Sequence, residues 1–321
     1  MDTGNRVRVT ELLRISTTVA DLRRAEAFYV DGLGFIPQHQ TRIEDPAWAR
    51  LMGVATESKV DALTLRLGAQ EIELLAFAPP GRPYPPLRSA NDGWFQHIAL
   101  VVEDIEGAWS RLGSRLASRS PIEISTAGPQ VLPANTGGVT AVKFRDPEGH
   151  PLELLRLPSG VGDPVWQHGR GAEPLGYDHS AITIRDVDRS IAFYTGLLGL
   201  RVSGRSLNSG VEQDRLDGLT HTLVDVVALE PADVVTPHLE LLCYRRPKGR
   251  APGSEVMAND VASTRQVYRV DRLEELVRRL TEAGVTLVSP GVVDLSGGGH
   301  AAAIRDPDGH MIVLTSRPGC Q

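Results

Sequence analysis

The stretch DPEGHPLELL, residues 146–155, recurs near the end of the chain as DPDGHMIVL, residues 306–314. Each copy begins with Asp-Pro followed by Gly, residues that favour a tight turn. Each continues into a short apolar run that is typical of a buried strand. The repetition at an offset of 160 residues predicts that the chain contains duplicated units ending in such a strand.

A second pattern repeats at an offset of 165 residues, between the beginning of the chain and its middle. An Asp, a Phe-Tyr pair and a Leu-Gly pair occur in the same order in both places: Asp21, Phe28-Tyr29 and Leu33-Gly34 match Asp186, Phe193-Tyr194 and Leu198-Gly199. The two patterns together divide the chain into four repeats.

Each repeat predicts one β-α-β-β-β unit. An apolar strand opens the unit, and an Asp in the position of a helix N-cap follows it: Asp21, Asp104, Asp186 and Asp271. A helix comes next, and in the fourth repeat its apolar residues recur at the spacing of one buried stripe: Leu273, Leu276, Val277 and Leu280. Segments rich in strand-forming residues, separated by Gly, Pro and Asp, complete the unit. The sequence therefore predicts an α+β fold.

Composition limits the function. The chain has 321 residues and a formal net charge of −6, without a basic run, which argues against nucleic acid as a partner and favours a small-molecule substrate. Cys243 and Cys320 form no disulfide framework, and no apolar run is long enough to span a membrane. With a polar N-terminal segment, these features predict a cytoplasmic protein, either a monomer or a homodimer.

A Gly-rich segment divides the repeats into two pairs. We expect repeats one and two in residues 1–158, a linker in residues 159–173, and repeats three and four in residues 174–321.

Two equivalent positions differ among the repeats, one on the opening strand and one on the closing strand. The opening positions are Arg14, His97, His179 and Thr264, and the closing positions are Glu73, Glu153, Glu240 and Val313. Only repeats two and three therefore combine a His with a Glu.

These features resemble the vicinal oxygen chelate superfamily, which includes glyoxalases, bleomycin-resistance proteins and extradiol dioxygenases. The Asp-capped helix ending in Phe-Tyr and Leu-Gly, the Asp-Pro-x-Gly-His turn and the Leu-Glu-Leu-Leu strand carry the resemblance, over about residues 10–317. It implies four βαβββ modules paired into two cup-shaped mixed β-sheets with helices outside. It also implies that a metal is held by the opening and closing strands of two facing modules.

Two pairings of the repeats are open. If neighbours pair, each cup has an incomplete ligand set. If repeat two faces repeat three, as in fused glyoxalases, His97, Glu153, His179 and Glu240 meet in one metal site. We prefer the second pairing because it leaves one complete site and one degenerate cup, in which an Arg14–Glu73 ion pair is expected.

The resemblance implies one divalent transition metal, Fe, Ni, Co, Zn or Mn, because the ligands are imidazoles and carboxylates without thiolates. The expected function is that of a glyoxalase-like lyase or isomerase on a small vicinally oxygenated metabolite, with Glu153 or Glu240 as the base. One alternative is an Fe(II)-dependent dioxygenase with a two-His-one-carboxylate site. Another is a non-catalytic small-molecule-binding resistance protein.

Other polar residues have simpler expected roles. His238 lies two residues before Glu240 and is expected to form a polar wall. His150 and His310 belong to the two turns and are expected to be structural, and Cys243 is expected to pack in the core.

Overall fold

The computed structural model of the chain describes residues 7–115, 121–168, 171 and 173–316; Cys320 lies outside these ranges. The first repeat contains four strands and two short helices: β1 (Val9–Thr18), α1 (Leu22–Ala27) with a π turn (Phe28–Gly32), β2 (Ile36–Ile43), α2 (Pro46–Met52), β3 (Lys59–Leu67) and β4 (Gln70–Ala78). The second repeat has a longer helix and two very short strands: β5 (Phe95–Val101), α3 (Ile105–Arg115), β6 (Ile122–Glu123), β7 (Gln130–Val131), a 3-10 turn (Ala134–Thr136), β8 (Thr140–Arg145) and β9 (Pro151–Arg156).

The third repeat mirrors the first: β10 (Gly176–Thr183), α4 (Val187–Ile191) with a π turn (Ala192–Leu197), β11 (Arg201–Ser209), α5 (Val211–Asp217), β12 (Leu223–Glu230) and β13 (His238–Arg246). The fourth mirrors the second: β14 (Thr264–Val270), α6 (Leu273–Glu282), β15 (Val293–Asp294), β16 (His300–Arg305) and β17 (Met311–Thr315). The predicted α+β fold with four βαβββ units is confirmed.

Two mixed sheets combine repeats from the two halves of the chain. One has the strand order β15-β16-β17-β14-β1-β4-β3-β2, and the other β11-β12-β13-β10-β5-β9-β8-β6, with β7 also paired to β8. Strands β1 and β14 form the antiparallel centre of the first sheet, and β10 and β5 that of the second. The expected pairing of repeat two with three, and of one with four, is therefore confirmed at the level of the sheets.

The helices begin and end largely as the sequence predicts. Asp21 and Asp186 accept hydrogen bonds from the first helical turn through their carboxylates, and Gly34 and Gly199 follow the helices with φ near +77° and +76°. The prediction that Asp271 is the N-cap of α6 is wrong. Arg272, with a φ of 55°, directly precedes this helix, and its side chain forms no capping hydrogen bond. Among the described residues, no helix is long and apolar enough to span a bilayer.

One large hydrophobic cluster joins the helices to the sheet faces beneath them, and it includes Cys243 as expected. The two Asp-Pro-x-Gly-His turns connect the sheets to each other. Nε2 of His150 lies 2.9 Å from the carbonyl oxygens of Thr18 and Val261, and Nε2 of His310 lies 2.8 Å from that of Thr183. The structural role expected for both histidines is confirmed.

The division of the chain at residues 159–173 stays a prediction. Within this segment a 3-10 helix spans Pro164–His168, and residues 169, 170 and 172 lie outside the described ranges. Trp166 is buried and donates a hydrogen bond of 2.7 Å from Nε1 to Oδ1 of Asp178, so the segment packs against the sheet of repeats two and three.

Candidate metal centre

His97 and His179 meet at the centre of the sheet of repeats two and three. The two residues lie on the adjacent antiparallel strands β5 and β10, where His97 is opposite Ala181 and His179 is opposite Ala99. Both imidazoles are buried, and their Nε2 atoms are 3.1 Å apart. The strand register therefore brings together two side chains that are 82 residues apart in sequence.

The two glutamates lie on either side of this histidine pair. Oε2 of Glu153 on β9 is 3.8 Å from Nε2 of His97, and Oε2 of Glu240 on β13 is 3.4 Å from Nε2 of His179. The Glu153 side chain is 6% exposed and the Glu240 side chain 22%. All four predicted site residues thus line one face, with their nitrogen and oxygen atoms directed at a common space.

The second nitrogen of each imidazole is already engaged. Nδ1 of His97 bonds the side-chain oxygen of Gln96, and Nδ1 of His179 donates to Oδ2 of Asp178 at 3.0 Å. Because a hydrogen bond at Nδ1 fixes the tautomer, it leaves the Nε2 lone pair for another partner. Asp178 is itself held by Trp166, so an orienting chain runs from the 159–173 segment to His179.

Burial and neighbouring charges separate the pKa values of the two histidines. Burial, Lys143 and His179 hold the pKa of His97 well below its usual value. Burial also acts to lower the pKa of His179, but the carboxylates of Glu240 and Asp178 outweigh it and raise the pKa to about 9. At neutral pH and without a metal, His179 is therefore protonated, and its Nε2–H donates a hydrogen bond to Nε2 of His97.

Lys143 is the site residue that sequence reasoning missed. It lies opposite Glu153 on β8, fully buried, with Nζ 3.8 Å from Oε2 of Glu153 and 2.8 Å from Oδ1 of Asp217. Burial by itself lowers the pKa of Lys143, but the Asp217 and Glu153 carboxylates raise it above its usual value. Burial raises the pKa of Glu153 to about 7, although Lys143 and His179 act to lower it.

We call the concave face around these residues the histidine cup. It encloses a cavity of 150 Å³ in which His97, His179, Glu153, Glu240 and Lys143 form the polar part. Apolar side chains complete the wall: Leu132, Val139, Leu155, Leu157, Leu216, Val226 and Leu242. Leu216 belongs to α5, so this short helix closes one side of the cup.

His238 lies beside the histidine cup as a polar contact of the residues around His179. Its Nδ1 is 3.7 Å from Oδ2 of Asp178, and its Nε2 is 4.0 Å from Oε1 of Glu240. The expectation of a polar wall residue fits these contacts.

The sheet of repeats one and four carries different residues at the equivalent positions. Arg14 lies in the place of His179, and its Nη2 is 3.4 Å from Oε1 of Glu73, which confirms the expected ion pair. The assignment of Thr264 is wrong by one residue. The register places Arg265 opposite Ser16, as His97 lies opposite Ala181, and a shift of one residue moves a side chain to the other face.

We call this second concave face, with Arg14, Arg265, Glu73 and Val313, the arginine cup. Arg265 is fully buried and donates to the carbonyl oxygens of Ser16, Ala258 and Ser263. Two guanidinium groups therefore take the places of two imidazoles, and their positive charge opposes a bound metal cation.

A family model supports the resemblance independently of the site. The model described as the Glyoxalase/Bleomycin resistance protein/Dioxygenase superfamily matches residues 11–154 and 176–314, most of the chain. The chain belongs to this superfamily. No curated protein is similar enough in sequence to match it.

Solved structures of superfamily proteins have the same overall fold. Glyoxalase I from Zea mays is 18% identical, with 97% of this chain and 92% of that chain covered and a TM-score of 0.60. A candidate dioxygenase from Bacillus subtilis is 17% identical, with 98% and 87% covered and a TM-score of 0.57. At these identities the likeness extends to the fold, and the reaction of this superfamily member has to be inferred from its own residues.

Proposed function

We propose that this chain is a metal-dependent vicinal oxygen chelate enzyme with one metal site, in the histidine cup. The observation that carries the proposal is the convergence of two imidazole Nε2 atoms, 3.1 Å apart, with Glu153 and Glu240 beside them. Two imidazole Nε2 atoms, whose rings are oriented by hydrogen bonds at Nδ1, and two carboxylates are suitable ligands for a divalent transition metal. His97, Glu153, His179 and Glu240 would hold it.

The donor set favours Zn, Fe(II), Co, Ni or Mn, since it contains neutral imidazoles and carboxylates and no thiolate. When bound, such a metal supplies Lewis-acid polarisation of a carbonyl or enediolate oxygen of the substrate. The cavity of 150 Å³ and its apolar wall favour a small metabolite with vicinal oxygens and little further bulk.

We propose that the reaction is a lyase or isomerase reaction in which Glu153 moves a proton. As the base, the Glu153 carboxylate accepts through Oε2 a proton from the carbon next to the substrate carbonyl and returns it to the adjacent carbon. Lys143, 3.8 Å away, stabilises the charged carboxylate of Glu153 before it accepts the proton and again after it returns it. Glu240, the more exposed carboxylate, lies on the opposite side of the histidine pair and is the second candidate base.

An Fe(II)-dependent dioxygenase is the second candidate function. His97, Glu153 and His179 offer ligand atoms that all lie within 4.8 Å of one another, and this set of three does not include Glu240. Two imidazoles and one carboxylate are the ligands of non-haem Fe(II) oxygenases. In this case Glu240 is an acid–base group beside the site.

Metal content tests the shared part of both candidates. Protein purified without added metal should contain about one equivalent of transition metal per chain, measured by elemental analysis. His97→Ala/His179→Ala should lose it, whereas His39→Ala, a change of an exposed histidine outside both cups, should keep it. Full metal occupancy in the double variant, or two equivalents per chain, would overturn the site.

Two assays on candidate substrates distinguish the reactions. A lyase or isomerase should exchange the hydrogen next to a substrate carbonyl with solvent deuterium without consuming oxygen, and Glu153→Gln should slow the exchange by about 10²–10⁴-fold. A dioxygenase should consume oxygen in proportion to product. Oxygen uptake by the Fe(II)-loaded protein would therefore favour the second candidate over the first.

The cellular compartment and the oligomeric state stay predictions. The expectation of a cytoplasmic protein rests on the sequence features given above, among them two cysteines that form no disulfide framework.

A further inference from the structure

The arginine cup contains a pocket of 240 Å³ that the proposed metal chemistry does not use. Arg14, Arg269 and Glu73 supply its charged lining, and Ser316 lies at its edge. Apolar residues form the remaining walls, among them Trp48, Leu51, Met52 and Val313. Trp48, Leu51 and Met52 belong to α2, which closes the arginine cup as α5 closes the histidine cup.

The pocket has more positive than negative charge. Its lining carries the guanidinium groups of Arg14 and Arg269, and Nε of Arg269 pairs with Oε2 of Glu11 at 3.3 Å. The buried Arg265 lies beneath the pocket with Nη1 4.0 Å from Sδ of Met52. Glu73 is shared, since it also accepts a hydrogen bond of 2.7 Å from Oγ of Ser16. Two guanidinium groups, those of Arg14 and Arg265, therefore lie near one carboxylate, that of Glu73, which leaves an excess of positive charge at the pocket.

Two donors in the pocket lack an acceptor. Nη2 of Arg14 approaches Glu73 at 3.4 Å, and the side chain remains 34% exposed. Nε of Arg14 and Oγ of Ser316 are buried and have no hydrogen-bond partner among the described residues. Since buried polar atoms in folded proteins are nearly always bonded, two such atoms in one pocket indicate a polar ligand with acceptor oxygens.

The apolar wall of the pocket determines the chemistry of the remaining part of the ligand. Trp48 is only partly buried and presents its ring to the pocket, with its centroid 5.8 Å from that of Phe77. An aromatic wall favours a flat or branched apolar group. The volume of 240 Å³ is below that of a pocket for a drug-sized molecule, so the ligand is a small metabolite.

We propose that the arginine cup is a second small-molecule site that binds a carboxylate with an apolar body, its carboxylate on Arg14 and its body against Trp48. The charge of the guanidinium and its planar set of donors match a carboxylate. The site takes no metal and is independent of the histidine cup.

Phenylacetate and its neutral analogue phenylacetamide are suitable probes, measured by calorimetry and by tryptophan fluorescence. Phenylacetate should bind saturably, and phenylacetamide more weakly by about tenfold or more, equivalent to about 1.4 kcal/mol. Arg14→Gln should weaken phenylacetate binding by a similar factor. Arg66→Gln, which removes an exposed arginine on β3 of the same sheet outside the pocket, should not change it.

Further variants keep the test decisive if Arg14→Gln alters the fold. Glu73→Gln removes the competing carboxylate and should tighten phenylacetate binding, whereas a merely structural role of the pair predicts no gain. Trp48→Phe should still bind phenylacetate with a measurable heat, but without the change in tryptophan fluorescence. The proposal is overturned if phenylacetate does not bind the wild type, if Arg14→Gln binds it equally well, or if binding is lost in His97→Ala/His179→Ala.

Discussion

Nζ of Lys143 lies 3.8 Å from Oε2 of Glu153, the residue directly opposite it on the neighbouring strand. The amine is also 2.8 Å from Asp217, whose side chain is fully buried. Removing the amine therefore leaves a buried carboxylate without its cation. We expect Lys143→Met to lower the free energy of unfolding by about 3–5 kcal/mol, measured by urea denaturation of the metal-free protein.

The double variant Lys143→Met/Asp217→Asn is the matched control for this prediction. It removes both charges of the closer pair, and an amide at position 217 can still accept the hydrogen bond from Gln213. It should recover a large part of the lost stability. Equal destabilisation of the single and double variants would contradict the charge argument and indicate a packing effect.

The same amine should weaken metal binding at the histidine cup. Two unit charges 4 Å apart interact by roughly 4 kcal/mol at an effective dielectric constant of about 20. In Lys143→Met, Glu153 no longer has a competing cation, so we expect the affinity for Zn²⁺ or Co²⁺ to rise by about tenfold or more, or about 1.4 kcal/mol. Competition with a chromophoric chelator measures this change, and an unchanged or lower affinity would show that Lys143 instead positions Glu153 for the metal.

Metal affinity should depend on pH with a definite sign. In the metal-free protein the pKa of His179 is raised to about 9 by Glu240 and Asp178 against the effect of burial, and burial raises that of Glu153 to about 7. Both groups must lose their protons to act as ligands. Affinity should therefore rise with pH by about tenfold per unit between about 7 and 9, more steeply below about 7, and become constant above about 9. A flat profile from pH 6 to 9 in calorimetric titrations would be inconsistent with this ligand set.

The sequence predicts the fold and the four site residues because both follow from the repeats. Repeats two and three each carry a histidine on the opening strand and a glutamate on the closing strand, at equivalent positions. This repetition distinguishes the four residues from the other polar residues of the chain. The same comparison placed Thr264 where the register has Arg265. The comparison matched Asp271 with Asp104, but α6 begins after Arg272, so the alignment of this repeat is shifted by one residue.

Lys143 has no counterpart in the other repeats, since Thr64, Ala228 and Ala303 lie opposite the closing residues there. A local signal was nevertheless present. The turn at residues 146–150 fixes the hairpin of β8 and β9, and counting outward from it pairs position 143 with Glu153. By contrast, Asp217 and Trp166 reach the site through tertiary packing, for which no sequence spacing gives a signal.

The contacts of His150 predict that the hydrogen-bonded connection it forms between the two sheets depends on pH. Nδ1 is 2.8 Å from Oδ2 of Asp146, and Nε2 is 2.9 Å from the carbonyl oxygens of Thr18 and Val261. All partners are acceptors, so both ring nitrogens donate and the imidazole is charged. Burial acts to lower the pKa of His150, but Asp146 outweighs it and raises the pKa above the usual value.

We therefore expect His150→Gln to lower the free energy of unfolding by about 3 kcal/mol at pH 6, since a buried ion pair is broken. Because the folded pKa is raised, this contribution is complete below the unfolded pKa of about 6.5 and is lost as pH rises through the folded pKa. The difference between wild type and variant, measured by urea denaturation, should shrink with rising pH. His39→Gln, at an exposed position, should show no such difference. A difference that grows with pH would refute a charged His150.

Cleavage between the sequence halves should leave the histidine cup intact. Each sheet is closed by an antiparallel pair from opposite halves, β1 with β14 and β5 with β10, so the two fragments remain joined by main-chain hydrogen bonds and by the core on both sheets. A protease site inserted at the exposed Ser159-Gly160 allows the folded protein to be cut. We expect the fragments to elute together in size-exclusion chromatography and to bind one metal with the affinity of the uncut chain, because His97 and Glu153 lie on one fragment and His179 and Glu240 on the other. Separation of the fragments with metal retained by residues 1–159 alone would mean that Glu73, His97 and Glu153 suffice, and the site between repeats two and three would have to be abandoned.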